Sequence, residues 1–164
     1  MKTEPKPATE EQIRQLGTLL EGESTMVLSV VDAEGLAYAA PVFYVTGAPV
    51  DTVGAEQLDL LWLSSADSVH SLALSADPHV AVTVYRPTFA WREIAGAQMR
   101  GCCSIVEGAE RQAILVRYCQ RFQLGAVLGL AIKAGTLYRF RPEWVRLVDN
   151  RQGFGWKAEF VLPA

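Results

Sequence analysis

Residues 58–85 decide the fold of this chain, and they read LDLLWLSSADSVHSLALSADPHVAVTVY. The apolar run at 58–63 predicts a strand, and residues 66–76 place apolar side chains at helical spacing. The Asp77-Pro78 pair predicts the end of that helix, because the residue before a proline avoids the helical conformation. Residues 79–85 alternate in the manner of a half-buried strand. The stretch therefore predicts a strand, a short helix and a second strand, joined by tight connections.

The part of the chain that precedes this stretch predicts one helix and a hairpin. Residues 9–22 carry apolar side chains at helical spacing, and a capping box begins at Thr9. Residues 25–31 and 36–45 predict two strands around a glycine-containing turn. Pro41 has no N–H to donate to a ladder, so it marks the second strand as an edge strand or as the site of a bulge.

The part of the chain that follows the stretch predicts further strands and helices. They are a long strand at 93–106, a helix at 110–122, a short helical turn at 126–132, and final strands at 137–140 and 144–149, which are split at Pro142.

The order of these elements indicates the fold class. Strands and helices do not alternate strictly, which argues against a doubly wound parallel sheet. Short strands with tight connections favour an antiparallel barrel instead. We therefore predict a single domain over residues 1–164 of the α+β class, a β-barrel with helices, in which residues 1–8 are disordered.

Composition narrows the possible partners and the location. The chain has 164 residues, with 15 Lys and Arg against 18 Asp and Glu, a balance that argues against nucleic acid as a partner. Its apolar runs are far shorter than the ~20 residues of a membrane span, and the polar N-terminus carries no secretory signal. We expect a cytoplasmic protein with no membrane partner. Cys102, Cys103 and Cys119 form no C-x-x-C motif, and we expect reduced structural thiols.

The sequence lacks the common motifs that would specify a reaction. It has no G-x-G-x-x-G, no P-loop, no H-E-x-x-H and no G-x-S-x-G. Two histidines cannot form a histidine-rich metal site, and the carboxylates are scattered. We therefore predict no metal site and assign no catalytic acid or base.

A first polar group lies where the strand at 58–63 is followed by the helix. It comprises Ser64, Ser65, Ser68 and His70. The first N–H groups of a helix are unpaired and favour anions, and serine hydroxyls add further donors, so a phosphate can bind there. The alternative is purely structural, with Ser65 as an N-cap and His70 as a surface residue of the helix.

Two further groups lie in the C-terminal half. Gln98 and Arg100 are two residues apart on one predicted strand and share a face, and Trp91 lies in the loop before it. The alternative for this group is a solvated face. Asn150 is followed by Phe154 between two glycines, which allows the backbone to approach a flat ligand. The alternative for the aromatic residues is a place in the core.

The order and spacing of the three groups resemble the FMN-binding split-barrel superfamily of the pyridoxamine 5′-phosphate oxidases, and most closely a poorly characterised bacterial branch of it. The resemblance extends from residue 25 to residue 160. The segments that carry it are LSSADSVH at 63–70, DPHVA at 77–81, WR at 91–92, IAGAQMRG at 94–101 and DNRQGFGWK at 149–157.

The resemblance implies a fold, an assembly and a cofactor site. The fold would be a six-stranded antiparallel split barrel, Greek-key-like, and the assembly a homodimer with one FMN in each of two grooves at the interface. The residues implied in cofactor binding are Ser64, Ser65, Ser68 and His70 at the phosphate, Gln98 beside the flavin, and Trp91, Arg100, Asn150 and Phe154 around it. The sequence departs from the pyridoxamine 5′-phosphate oxidases in having no Lys or Arg between Leu58 and Tyr85.

Three functions are compatible with this resemblance. The first is a flavin-dependent oxidoreductase of unassigned substrate, in which the cofactor supplies the redox chemistry. The second is a non-catalytic module that binds or stores flavin, deazaflavin or haem on the same barrel. The third is an interaction protein that has lost its ligand, for which the absence of cations in the phosphate segment is the argument.

Overall fold

A computed structural model describes residues 6–48, 58–124 and 129–162 of the chain. The strands and helices in these ranges follow one another in the order β1 (Lys6–Pro7), α1 (Glu10–Gly22), β2 (Thr25–Val31), β3 (Ala37–Phe43), β4 (Val45–Thr46), β5 (Leu60–Ser64), α2 (Val69–Ala76), β6 (His79–Tyr85), β7 (Ala95–Ile105), α3 (Gly108–Arg121), α4 (Gly129–Ala134), β8 (Thr136–Asp149) and β9 (Lys157–Val161). Short 3-10 turns lie at Trp91–Glu93 and Asn150–Gln152.

The sheet confirms the predicted α+β class and differs from the prediction in its number of strands. Nine strands of the described residues form one sheet, where the resemblance implied six. The hydrogen-bonded order is β1-β9-β8-β7-β6-β2-β3, and β4 and β5 join through β8. Within the described residues only β1 and β9 pair in parallel, so the sheet is otherwise antiparallel as predicted.

The predicted strand at 36–45 is interrupted at Tyr44. The Tyr44 ring is fully buried, and its hydroxyl donates to the Leu20 carbonyl of α1 at 2.6 Å. Its backbone N–H donates to Ser24 O at 3.0 Å, beside the start of β2. The chain then crosses to β5 as β4. This side chain therefore marks the point where the strand changes partners.

The predicted break at Pro142 is wrong, because β8 continues through this residue. Pro142 lies opposite Gly101, where the register of the β7–β8 ladder shifts. A Cβ on Gly101 would lie 1.9 Å from the Arg141 carbonyl oxygen, so only glycine allows the two strands to approach here. The bulge accommodates a residue that has no N–H to donate. Pro41 behaves as predicted, since β3 lies at the end of the hydrogen-bonded order.

The N-terminal segment is more ordered than predicted. Lys6–Pro7 pair with β9, and the Ala8 N–H donates to Val161 O at 2.9 Å. The disorder predicted for residues 1–8 therefore does not extend to 6–8, and residues 1–5 lie outside the described ranges. Part of the helical turn predicted at 126–132 also lies outside them, and α4 begins at Gly129.

Two apolar clusters hold the elements together. The larger lies between α1, α2 and the inner face of the sheet, and it includes the fully buried Trp62, Phe140 and Phe160. The smaller lies under α3, where Ile114 and Tyr118 pack against β4 and β5. Among the described residues, no helix is both long enough and apolar enough to cross a membrane.

Candidate functional site

Four side chains form a hydrogen-bonded chain where β5 ends and α2 begins, and we call them the hydroxyl–imidazole cluster. Ser64 Oγ lies 2.5 Å from His70 Nε2 and 3.2 Å from Ser68 Oγ. Ser68 Oγ donates to Ser71 Oγ at 2.8 Å. The cluster therefore comprises Ser64, Ser68, His70 and Ser71, of which Ser71 was not identified from the sequence. Its spacing three residues after Ser68 on a predicted helix was the available signal.

The helix begins three residues later than predicted, and Ser68 is its N-cap. The Ser68 hydroxyl accepts from the Ser71 N–H at 3.3 Å. Ser65, which the structural alternative assigned as the N-cap, donates its hydroxyl to the Asp67 carboxylate in an exposed turn. Ser65 therefore lies apart from the cluster, and Asp67 adds negative charge beside it.

His70 is buried, with 8% of its surface exposed, so the surface position of the structural alternative is wrong. Burial lowers the pKa of His70 below 6.5, because a low-dielectric environment disfavours the imidazolium. One assignment of protons satisfies the chain of contacts: His70 Nε2–H donates to Ser64, and Ser64 donates to Ser68. His70 Nδ1 is then an unprotonated acceptor, buried without a hydrogen-bond partner. The cluster thus consists of hydroxyl groups and a neutral imidazole.

Gln98 and Arg100 share the outer face of β7, as predicted. They alternate with the buried Ala97 and Met99. Gln98 Oε1 accepts from Arg146 of β8 at 3.4 Å. The Arg100 guanidinium carbon lies 4.2 Å from the ring centre of Trp144, which also belongs to β8.

Trp144 was not among the site residues predicted from the sequence. Its place beside Arg100 depends on the register of the β7–β8 ladder, which pairs the two residues directly. The bulge between Arg100 and Gly101 shifts that register, and a pattern of residue types does not specify the shift.

Asn150 connects the turn that carries Trp91 with the turn that carries Phe154. Its Nδ2 donates to Trp91 O at 2.7 Å, and its Oδ1 accepts from the Gly155 N–H at 3.1 Å. The rings of Trp91 and Phe154 meet edge to face, with their centres 5.5 Å apart. Phe154 is 86% exposed, so the alternative of a core position is wrong for this residue, and Trp91 is 50% exposed. Gly153 and Gly155 have φ values of 140° and 70°, which favour glycine.

The group of Gln98 and Arg100 adjoins the group of Asn150 and Phe154, and the hydroxyl–imidazole cluster lies apart from both. Gln98 pairs with Arg146, three residues before the end of β8 at Asp149. Ser64 pairs with Thr136, where β8 begins. Eight to ten residues of β8 separate the two regions, roughly 26–33 Å of extended strand. Among the described residues, no hydrogen bond or ring contact joins the cluster to the other groups.

The amino-acid sequence resembles those of known proteins over part of its length. A UPF0306 protein of Yersinia pseudotuberculosis is 30% identical over 101 residues, which are 62% of this chain and 65% of that protein. The match thus spans just under two thirds of the relative's length.

Solved structures share the fold at low identity. A haem-binding protein from Mycobacterium smegmatis matches with a TM-score of 0.68 at 18% identity, over 95% of this chain and 59% of that one. A protein from Listeria innocua, provisionally described as a pyridoxamine 5′-phosphate oxidase, matches with a TM-score of 0.60 at 16% identity, over 84% of this chain and 96% of that one.

The family itself is established by a match along most of the sequence. The sequence model described as pyridoxamine 5′-phosphate oxidase matches residues 10–149, which contain the hydroxyl–imidazole cluster and both Gln98 and Arg100. The chain therefore belongs to the pyridoxamine 5′-phosphate oxidase family.

Proposed function

We propose that this protein binds FMN and acts as a flavin-dependent oxidoreductase on a small substrate that is not yet identified. The observation that carries the proposal is the hydroxyl–imidazole cluster, which lies at the strand end and helix start that the resemblance assigns to the flavin phosphate. Ser64, Ser68 and His70 are joined there by direct hydrogen bonds. A protein that only needed a helix cap would not require the buried imidazole.

The cluster fits a phosphate group in its donors but supplies no positive charge. The first N–H groups of α2 are suitable partners for phosphate oxygens, and the hydroxyls of Ser64 and Ser68 would become partners by turning away from their contacts within the cluster. His70 Nδ1, a buried polar atom without a partner, would gain one from a protonated ligand oxygen or from an ordered water at the site. Because no Lys or Arg occurs between Leu58 and Tyr85, the cation must come from another segment or another chain.

The bound flavin would supply hydride and electron transfer, and the chain would supply binding and orientation. The Gln98 amide is suited to a hydrogen bond with the polar edge of a flavin ring. Trp91 and Phe154, fixed by Asn150, offer an exposed apolar surface to a flat substrate or to the ring itself. His70, being neutral, can take part in hydrogen bonds without adding charge.

We further propose a homodimer with the flavin site at its interface. The support is the separation along β8, which exceeds the reach of one flavin mononucleotide, so a ligand that contacts both Ser64 and Gln98 needs Gln98 from a second copy. The edge strand β3 is exposed along most of its length although its sequence, AYAAPVF, is apolar. A dimer would cover this strand. Light scattering that gives the mass of a single chain would contradict the shared site.

We also propose that the sheet is the six-stranded split barrel of the resemblance. The support is the pairing pattern, in which only Tyr44 separates β3 from β4. If these two are counted as one strand, the ladders lead from β2 through β3 with β4, then β5, β8, β7 and β6, and back to β2. The strands β1 and β9 are then additions beside β8.

An absorbance spectrum of freshly purified protein, recorded with and without added FMN and again after desalting, tests the proposal. We expect flavin bands that survive desalting and a quenched flavin fluorescence. The Ser64→Ala variant should retain less FMN, whereas Ser75→Ala, on the same helix but outside the cluster, should retain as much as the wild type. A spectrum without flavin bands under all conditions would contradict the proposal.

A non-catalytic module that stores haem, flavin or deazaflavin is the second candidate. One observation favours haem: the similar structure from Mycobacterium smegmatis is described as a haem-binding protein. His70 is the imidazole to consider, but its Nε2 already contacts Ser64, and coordination of iron would break that contact. A Soret band on haem titration that disappears in His70→Ala would favour haem storage over flavin chemistry, and the absence of the band would exclude haem as the ligand.

A further inference from the structure

Two cavities adjoin each other where β6 ends and the chain turns toward β7. The first, which we call the loop cavity, has a volume of about 450 Å³ and is lined by the strand ends and by the β6–β7 loop, including Phe89 and Ile94. The second, which we call the helix cavity, has a volume of about 410 Å³ and lies between α1 and the end of β8. Arg86 and Ala95 belong to both, so the two cavities form one continuous space.

The β6–β7 loop, residues 86–94, is fixed by hydrogen bonds at both of its halves. Thr88 Oγ1 accepts from the Ala90 N–H at 3.0 Å, which closes a turn at the tip of the loop. The Ile94 carbonyl accepts from the Asn150 N–H at 2.9 Å, which attaches the end of the loop to the turn after β8. The loop thus presents a preformed surface, and a ligand would bind to it without first ordering the chain.

Exposed apolar side chains border the loop cavity. Tyr85, Phe89 and Ile94 all line it, and all three are exposed. Single apolar residues on a surface are common, but several around one cavity are typical of a site that binds a ligand or a partner. The site is separate from the proposed flavin contacts, because Ala95 is buried on the inner face of β7 whereas Gln98 lies on the outer face.

Arg86 is the residue of both cavities that can hold a charge, because most of its donors lack an acceptor. Its Nε donates to Glu23 Oε1 at 3.2 Å, and its Nη groups make no hydrogen bond to any residue that the structure describes. The other arginines of the helix cavity are paired more fully. Arg151 donates twice to the Asp149 carboxylate, at 2.8 and 2.7 Å, and Arg14 contacts a carboxylate one turn earlier on α1.

The charges around Arg86 favour a ligand with a single negative charge. Glu23 neutralises part of the guanidinium charge, and Glu11 and Asp149 border the helix cavity. These carboxylates would repel a dianion such as a phosphate more strongly than a monoanion. A carboxylate has one charge and two oxygens, which match the N–H groups along one edge of a guanidinium. The apolar wall beside Arg86 calls for a hydrocarbon body attached to that carboxylate.

We propose that the loop cavity and Arg86 form a binding site for an amphipathic carboxylate. The hydrocarbon body of this ligand lies against Phe89 and Ile94, and its carboxylate accepts hydrogen bonds from the Nη groups of Arg86. The volume of the loop cavity, about 450 Å³, lies within the range of roughly 300–1,000 Å³ that small-molecule sites occupy. The proposal goes beyond the proposed flavin function and does not depend on it.

Calorimetric titration of the full chain, without added FMN, tests the site with three ligands. Octanoate has the body and the carboxylate, octan-1-ol has only the body, and acetate has only the carboxylate. We expect octanoate to bind most tightly and acetate not to bind. Arg86→Gln should weaken octanoate binding on the order of 10-fold and leave octan-1-ol binding unchanged. Phe89→Ser, at a fully exposed position, should weaken the binding of both, and Arg92→Gln, in the same loop, is the matched control.

Glu23→Gln keeps the test decisive if Arg86→Gln fails to fold. It removes the carboxylate that competes for Arg86, so octanoate should bind roughly 2- to 5-fold more tightly than to the wild type. Three results would overturn the proposal: no binding of octanoate to the wild type, equal weakening of octanoate and octan-1-ol by Arg86→Gln, or the same losses in Arg92→Gln. A fall to the mass of one chain in Phe89→Ser, measured by light scattering, would also overturn it, because a second copy would then cover the loop cavity.

Discussion

At the scale of the single residue, the burial of His70 makes the stability of the protein depend on pH. Burial lowers its pKa in the folded protein below 6.5, so the unfolded chain takes up a proton first as the pH falls through that value. The stability that this creates is complete above 6.5 and decreases on acidification. We expect the free energy of unfolding, measured with urea at about pH 7.5 and about pH 5.5, to fall more in the wild type than in His70→Gln.

The glutamine variant is the appropriate comparison because its amide can still contact Ser64 where Nε2 does. The exposed His79, paired with Asp77, remains in both proteins and cancels in the comparison. An equal loss of stability in the two proteins would show that the imidazole does not titrate in this range.

The two serines of the turn before α2 should differ in their contribution to stability. Ser68 caps the helix and links Ser64 to Ser71, so Ser68→Ala should lower the free energy of unfolding by about 1 kcal/mol, with a range of about 0.5–2. Ser65→Ala removes only an exposed contact with Asp67 and should change stability by less than about 0.5 kcal/mol. Urea unfolding of the two variants decides the matter, and the reverse order would place the cap at Ser65.

At the scale of elements, the β7–β8 ladder depends on one glycine. A Cβ at Gly101 would meet backbone atoms of Arg141 and Pro142, which cannot move without opening the ladder. We expect Gly101→Ala to destabilise the protein by at least about 2 kcal/mol, visible as a lower thermal unfolding temperature.

Gly129→Ala is the matched control, because no atom of the described residues lies within 4 Å of the position where its Cβ would be. Alanine favours the helix, so this variant should be neutral or slightly more stable, by up to about 1 kcal/mol. Equal effects of the two substitutions would mean that the bulge tolerates a side chain.

The sequence predicted the kinds of elements better than their limits. The helices α1 and α3 and the strands β2 and β6 follow from local periodicity, since each buries one face of a regular element. The element boundaries that were predicted wrongly depend on residues that are far away in the sequence. β8 continues through Pro142 because Gly101 on another strand leaves room for it.

The candidate site shows the same difference between contacts of residues close in the sequence and contacts between separate strands. Ser64, Ser68 and His70 lie close together in the sequence, and the structure joins them. The partnership of Arg100 with Trp144 links residues of two strands and depends on register. Local patterns therefore predicted that Ser64, Ser68 and His70 lie together, but they could not show that Arg100 stacks on Trp144.

At the scale of the whole molecule, the proposed dimer predicts that β3 determines both assembly and cofactor retention. Tyr38 is partly exposed in this edge strand. We expect Tyr38→Asp to shift the protein toward the mass of one chain in light scattering and to reduce FMN retention in parallel. Burial of an unpaired carboxylate at an interface is strongly unfavourable.

Val116→Asp is the control for added charge at an exposed apolar position. Val116 is half exposed on α3, and its replacement should leave both the mass and the cofactor content unchanged. A dimer that persists in Tyr38→Asp would place the interface elsewhere.

The position of β8 in the chain has a consequence during protein synthesis. β8 pairs with β5, β7 and β9, so three strands depend on a segment that begins only at Thr136. Until the ribosome has released this segment, one long edge of β7 and one edge of β5 lack a partner, and such edges invite aggregation. Nascent chains arrested before residue 136 should thus be cleaved readily by protease, and those arrested well beyond residue 161 should resist it.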